Sequence, residues 1–316
     1  MTYAKPFVLT VVLAGSAGLG CKPAVGQAPS LITDNAILAV KGEPAEAKPG
    51  DNVVYSFLLA SPLGTVTDST AAWDVCATPK PPAENNSAAS ACNPPTPGAT
   101  TGPTFAAPVP NNACMLFGPI APPVATGQPA IRPRDPDATG GYYLPVRVTF
   151  PELTTGIVTG FAFERIGCNL ANAATTIVAE YNTEYAPNND PGIASTDLVR
   201  ADGSRLNLDS GPQTIAPGEV VVFEAAFADG SAETFPVLNS TGDALVAQTE
   251  SLHMAWFATS GSFEHDRTGV AGGEVANFTS NTWTAPGTAT PVHLWLVLRD
   301  SRGGTDFKSY EIQVSQ

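Results

Sequence analysis

Two stretches of the chain, 168 residues apart from Pro49 to Pro217, repeat one order of signals. In the first, the turn Lys48-Pro49-Gly50-Asp51 leads into NVVYSFLLA (Asn52 to Ala60) and then AAWDVC (Ala71 to Cys76). In the second, Ala216-Pro217-Gly218-Glu219 leads into VVVFEAAF (Val220 to Phe227) and then LHMAWFA (Leu252 to Ala258). Each copy puts a proline-glycine turn before an alternating apolar run, the period of two that marks a strand. A second strand with a single tryptophan, Trp73 or Trp256, follows. A spacing this long is not a solenoid period. It predicts two domains built on one plan.

The second copy continues with a strand over Asn277 to Ala285, a stronger one over Pro291 to Asp300, a turn at Ser301-Arg302-Gly303-Gly304, and a return strand over Phe307 to Val314. Short strands separated by turn signals imply an all-β fold of two sandwiches. With 29 glycines and 30 prolines the chain is turn-rich, yet below the share that marks disorder. In the first copy, the next strands fall at Tyr142 to Phe150 and Ile157 to Cys168. Pro145, which cannot donate to a ladder, points to an edge strand or a bulge. Leu170, Ala174, Ile177, Val178, Tyr181 and Tyr185 recur at helical spacing and predict one short helix. The boundaries expected are 36–190 for the first domain, carrying a proline-rich insertion over 77–141, and 196–316 for the second. APNNDPG (Ala186 to Gly192) lies between them.

The quoted runs SLHMAWFATSGSF, NTWTAPGTATPVHLWLVLRDSRGG and EPAEAKPGDNVVYSFLLASPLG resemble bacterial immunoglobulin-like domains of cell-envelope lipoproteins. The likeness covers 196–316 well, 36–76 less fully, and little between. It implies fold, and it leaves the ligand open. At the N-terminus, Lys5 precedes an apolar core, Phe7 to Ala14, too short to span a bilayer. The small residues that end at Gly20-Cys21 resemble a lipobox. The resemblance implies a signal peptide over 1–20, an acylated Cys21, a tether over 21–35 and an outer-membrane lipoprotein. Gly18 departs from that pattern, which has leucine there, and cleavage after Gly26 is the alternative.

Five cysteines fit this reading: if Cys21 carries lipid, Cys76, Cys92, Cys114 and Cys168 remain for two disulfides. Three pairings are open to them, and spacing does not settle which holds; the expectation carried forward is Cys76–Cys92 with Cys114–Cys168. No C-x-x-C or nearby histidine supports a metal site at these positions.

Acids outnumber bases 29 to 15, a net charge of −14, which repels nucleic acid. The chain has no G-x-S-x-G, H-E-x-x-H or G-x-x-x-x-G-K-[ST] signature. The expectation is a non-enzymatic protein without a cofactor. It binds the membrane through its lipid and meets a protein or glycan partner. The alternatives are a carbohydrate-active or other hydrolase with a site between the domains, and a calcium-dependent adhesin. For calcium, Asp135, Asp137 and Thr139 begin a D-x-D-x-T-G loop, but Val146 stands where the closing glutamate belongs; Asn188, Asn189 and Asp190 are the further donors considered. Alternation along the two strongest strands of the second copy places His253, Phe257, His293, Trp295 and Val297 on one outer sheet face. Such an aromatic patch is either a partner-binding face or a surface covered by the first domain.

Overall fold

A computed structural model of the chain describes residues 28–67, 70–76, 99–101, 104–118, 126–127, 139–152, 156–170 and 173–316. The first half contains β1 (Ala36–Glu43), β2 (Glu46–Ala47), β3 (Asn52–Ser61), β4 (Gly64–Thr65), β5 (Thr70–Val75), β6 (Ala99–Thr101), β7 (Thr104–Pro108), α1 (Ala113–Phe117), β8 (Gly141–Glu152) and β9 (Gly156–Gly167). One sheet has β3 between β1 and β7 with β4 at its end, and the facing sheet runs β2-β9-β8-β5-β6. After α2 (Thr175–Glu184) the second half contains β10 (Ile193–Val199), β11 (Arg205–Asn207), β12 (Gln213–Ile215), β13 (Val220–Phe227), β14 (Thr234–Leu238), β15 (Leu245–Thr249) and β16 (Leu252–Ala258). It ends with β17 (Ser262–Phe263), β18 (Arg267–Val270), β19 (Phe278–Thr284), β20 (Thr290–Asp300) and β21 (Thr305–Val314). Its two large sheets run β11-β10-β13-β19-β17 and β12-β21-β20-β16-β18, and β14 and β15 form a separate hairpin.

The two halves share one strand order. β1-β3-β7 corresponds to β10-β13-β19, and β2-β9-β8-β5-β6 to β12-β21-β20-β16-β18. A parallel strand pair also recurs: β2 runs parallel to β9, and β12 to β21. The recurrence in sequence is therefore a recurrence in topology, two immunoglobulin-like sandwiches. Each tryptophan of the repeated plan sits in its own core. Trp73 packs with Phe57 and Phe105, and Trp256 with Phe223 and Phe263. On β13, Val221, Phe223, Ala225 and Phe227 point inward, as the alternation demands.

Three details differ from the sequence reading. The chain has two short helices among the described residues, where one was expected; α2 falls inside the predicted helical stretch, and α1 is five residues long. β8 is an interior strand despite Pro145. In an antiparallel strand the N–H and C=O of one residue point to the same neighbour. The Pro145 carbonyl accepts from Cys76 N, one residue past the end of β5, so the missing donor faces the point where β5 stops. Finally, Ser30–Ile32, at the end of the expected tether, are hydrogen-bonded to the end of β16 at Ala258.

Cys114 and Cys168 form a disulfide that ties α1 to the end of β9. Cys76 is buried and also disulfide-bonded. Cys21, Cys92 and most of the insertion lie outside the described residues.

Candidate functional site at the junction of the sandwiches

β3 and β20 are apolar on both faces, and the reason is that each lies between two layers. Val53, Tyr55, Phe57 and Leu59 face the first core, whereas Leu58 and Ala60 face away. Likewise Val292, Leu294, Leu296 and Leu298 face the second core, and Trp295 and Val297 face away. The two outward faces meet. Ala39, Leu58 and Ala60 of the first sandwich pack on Ala255, Trp295 and Val297 of the second, with Ile32 at the rim. The four large sheets are thus layers of one stack.

The face that reads in sequence as either a partner-binding patch or a surface covered by the first domain lies in this seam. Trp295 and Val297 are fully buried, and Phe257 is half-buried against the same seam. Trp295 Nε1 donates to Thr65 Oγ1 at 2.8 Å, and Gly64, with a positive φ that favours glycine, brings β4 against the His293 ring. His253 remains exposed, with Nε2 3.2 Å from Ser251 Oγ. Because His253 pairs with Arg299, six residues along β20 from His293, the two rings are about 20 Å apart and share no metal.

One end of the seam is polar and buried. Arg165 on β9 donates from Nε to Glu46 Oε2 (3.1 Å) and from Nη2 to Thr139 Oγ1 (3.0 Å). Arg302, in the turn between β20 and β21, donates from Nε to Glu250 Oε1 (2.6 Å) and from Nη2 to Glu233 Oε2 (2.5 Å). Its guanidinium also lies over the Phe235 ring, 4.3 Å from the centroid. Tyr185, just after α2, joins the two halves: its hydroxyl donates to Glu46 Oε2 and accepts from both Arg165 and Arg302. Burial holds that hydroxyl above its ordinary pKa, with Arg165 opposing and Glu46 adding, so it stays a donor. The result is a continuous lattice, Glu46–Arg165–Tyr185–Arg302–Glu250, crossing from one sandwich to the other.

The intervening segment is tied to the same lattice. Asn188 N donates to Glu46 and its Nδ2 to Asp300, Asn189 N donates to Glu233, and Thr305 N donates to Asp190. A stretch that reads as a linker is therefore hydrogen-bonded to both sandwiches along its length. Leu170, Ile177 and Tyr181 pack α2 against Leu238 and Leu245 of the β14–β15 hairpin. Beside them a cleft of about 380 Å³ is lined by Glu46, Lys48, Asp51, Asn169, Tyr181 and Tyr185.

Of the expected calcium loop, Asp135 and Asp137 lie outside the described residues. Thr139 Oγ1 accepts from Arg165 and Thr139 O from Tyr181, so its oxygens serve the lattice. Sequence reasoning missed Glu46, Arg165, Tyr185, Glu250 and Arg302. The available signal was a charge inside an apolar strand, as with Arg165 in FAFERIGC, because such a charge is rarely buried without a partner.

Glu164, next to Arg165, points toward β1, where Gly42 has no side chain to occupy its space. It is 3% exposed and its Oε1 has no hydrogen-bond partner. Burial pushes its carboxyl up to about 9, and the nearby Asp190 and Glu46 carboxylates add to the shift. The folded state thus holds this proton more tightly than the unfolded chain does. Its contribution to stability is full below the ordinary carboxyl pKa and is lost as pH rises toward 9. Urea midpoints of the wild type are expected to fall between about pH 5 and pH 9, and less so in Glu164→Gln. Equal slopes in the two proteins would refute this.

The class that these observations define is a tandem of immunoglobulin-like β-sandwiches fused face to face, and it rests on the strand order and the repeated parallel pair. No family model and no curated protein matches the chain. Among solved structures, the D00-D0 domain of intimin is similar over 90% of this chain and 99% of its own length, at 10% identity and a TM-score of 0.23. The C-terminal domain of the Streptococcus agalactiae AgI/II polypeptide BspA is similar over 87% of this chain and 99% of that one, at 8% identity and a TM-score of 0.20. Dimeric latent PorU from Porphyromonas gingivalis is similar at 11% identity and a TM-score of 0.21, and there 90% of this chain spans 24% of the other. Likenesses at this level carry no argument about function.

Proposed function

We propose that the protein is a non-enzymatic component of the bacterial cell envelope, anchored in the outer membrane by an acylated Cys21, with a binding or structural role toward a protein or glycan. The observation that supports the role is the junction itself. Its apolar faces are packed together, and the buried charges Arg165 and Glu46, and Arg302 and Glu250, are paired. Groups held in this way fix two sandwiches as one rigid unit, a property suited to presenting loops at a fixed spacing rather than to chemistry between domains. The anchor rests on the Gly20-Cys21 pattern and on cysteine parity.

Intact mass spectrometry of protein from the native membrane fraction, beside a Cys21→Ser variant, tests the anchor. A mature chain that begins at Cys21 with added acyl mass, absent from the variant, is the expected result. A chain that begins after Gly26 without acyl mass would overturn it. Small-angle scattering of the mature chain tests the rigid unit, which predicts one conformer; a fit that requires a range of inter-sandwich angles would overturn that part.

A further inference from the structure

The chain enters the fold at one end of the stack of sheets. Ala258 N donates to Ser30 O, and Ile32 N donates to Ala258 O. Ala258 closes β16 and is paired with Leu294, near the start of β20. The residues that precede β1 are thus fastened to the second sandwich, with Ile32 packed on the seam. Register fixes what else lies at this near end. Ala36 at the start of β1 is paired with Ala60 of β3, and the tight turn from Ser61 to Gly64 follows. Thr65 then bonds Trp295 and Ser309 of the second sandwich. Val314, at the end of β21, is paired with Thr290.

The opposite end carries the elaborations of the fold. β20 runs eleven residues from Thr290 to Asp300, about 34 Å at the rise of a strand. At Asp300 the Asn188 side chain is bonded, and Asn188 N donates to Glu46. The Tyr181 hydroxyl of α2 donates to Thr139 O, and the β14–β15 hairpin packs on α2. α1 is held there too, by the disulfide to Cys168 just past β9. Among the described residues, both α-helices and the extra hairpin therefore lie at the far end, and the near end has neither.

We propose that the near end faces the bilayer and that the far end, with α1, α2 and the β14–β15 hairpin, is the surface presented to partners. This orientation rests on the acylated Cys21 proposed above. Cys21 lies seven residues before Ala28 (28 − 21), a span of at most about 25 Å in any conformation. The lipid is therefore confined to that reach of the end at which Ala28 enters. The strands run from there to the far end and set α2 and the hairpin further out. The net charge of −14 opposes the alternative of lying along an anionic leaflet. The rigid junction keeps both sandwiches in this one orientation, because the segment at Ser30–Ile32 bonds the second while it leads into the first.

Energy transfer to a labelled bilayer tests the orientation. The full acylated chain is reconstituted in vesicles of phosphatidylethanolamine and phosphatidylglycerol that carry an acceptor on the lipid headgroup. A donor is attached through Leu63→p-azidophenylalanine at the near end or Val246→p-azidophenylalanine at the far end. Both side chains are exposed, at 90% and 47%, and the labels leave the cysteines untouched. Transfer from the Leu63 position is expected to exceed that from the Val246 position at least about twofold, because strands about 34 Å long separate the two ends. Equal transfer, the result for a molecule lying flat, would overturn the proposal, as would stronger transfer from the Val246 position. Intact mass of the same preparation separates the two readings. Acyl mass with equal transfer overturns the orientation alone, whereas a chain without acyl mass overturns the anchor and the orientation with it.

Discussion

Arg302→Met destabilises the full chain by about 3–5 kcal/mol, the expected effect of removing one partner from a buried ion pair. Arg302 and Glu250 are both essentially excluded from solvent, at 2% and 0% side-chain exposure. Methionine fills much of the volume over Phe235 but leaves the Glu250 carboxyl in the interior without its cation. That carboxyl already sits above its ordinary pKa, through burial first and Asp300 second, with Arg302 as the main opposing influence. Taking Arg302 away therefore drives Glu250 toward its neutral form. Glu233, more exposed at 22%, turns to water at little cost. Urea denaturation of the full chain reads the loss. The double variant Arg302→Met with Glu250→Leu is expected to recover part of it, because an apolar pair of similar volume replaces a buried ion pair with small net change. A single variant within about 1 kcal/mol of wild type would mean that the lattice contributes nothing at this position.

Trp295→Ala acts at the other end of the junction. Truncating a buried tryptophan typically costs about 3–5 kcal/mol through lost transfer energy and the cavity left behind. Trp295 also loses the 2.8 Å bond from Nε1 to Thr65 Oγ1, a small addition because that hydroxyl is exposed and keeps its bond to Ser309 Oγ. Because Trp295 packs between the sandwiches rather than within either, the loss falls on their coupling. Calorimetry of the wild type is expected to show one cooperative transition and that of the variant two, the melting of each sandwich by itself. Trp256→Ala serves as the comparison: Trp256 lies inside the second core, so its loss lowers the melting of that sandwich. A Trp295→Ala variant with one transition at an unchanged temperature would show that the seam does not couple the two.

The lattice and the seam have different visibility in the sequence. The seam left a trace, because NVVYSFLLA and PVHLWLVLRD are apolar on both faces, and a strand is apolar on both faces only when both are covered. That trace does not name what covers them. An exposed binding patch and an intramolecular seam have the same pattern along one strand, and the choice depends on how the first sandwich is placed. The lattice left almost none. Glu46, Arg165, Tyr185 and Arg302 are separated by up to 256 residues, from Glu46 to Arg302, and no local period relates them. The same holds for Pro145, whose tolerance in an interior strand depends on where its neighbour β5 ends.

What the sequence determined by itself was the architecture that local rules produce. Alternation with period two, proline-glycine turns and a tryptophan on the second strand of each copy specify two sandwiches of one design, because each signal acts over a few residues. The tertiary structure decided everything that depends on distance in space: that the aromatic face of β20 is interior, that the APNNDPG segment is bound to both sandwiches, and that Glu46, Arg165, Glu250 and Arg302 meet at the junction. Those outcomes follow from burial and pairing between residues far apart in the chain, and long-range packing has no local signature.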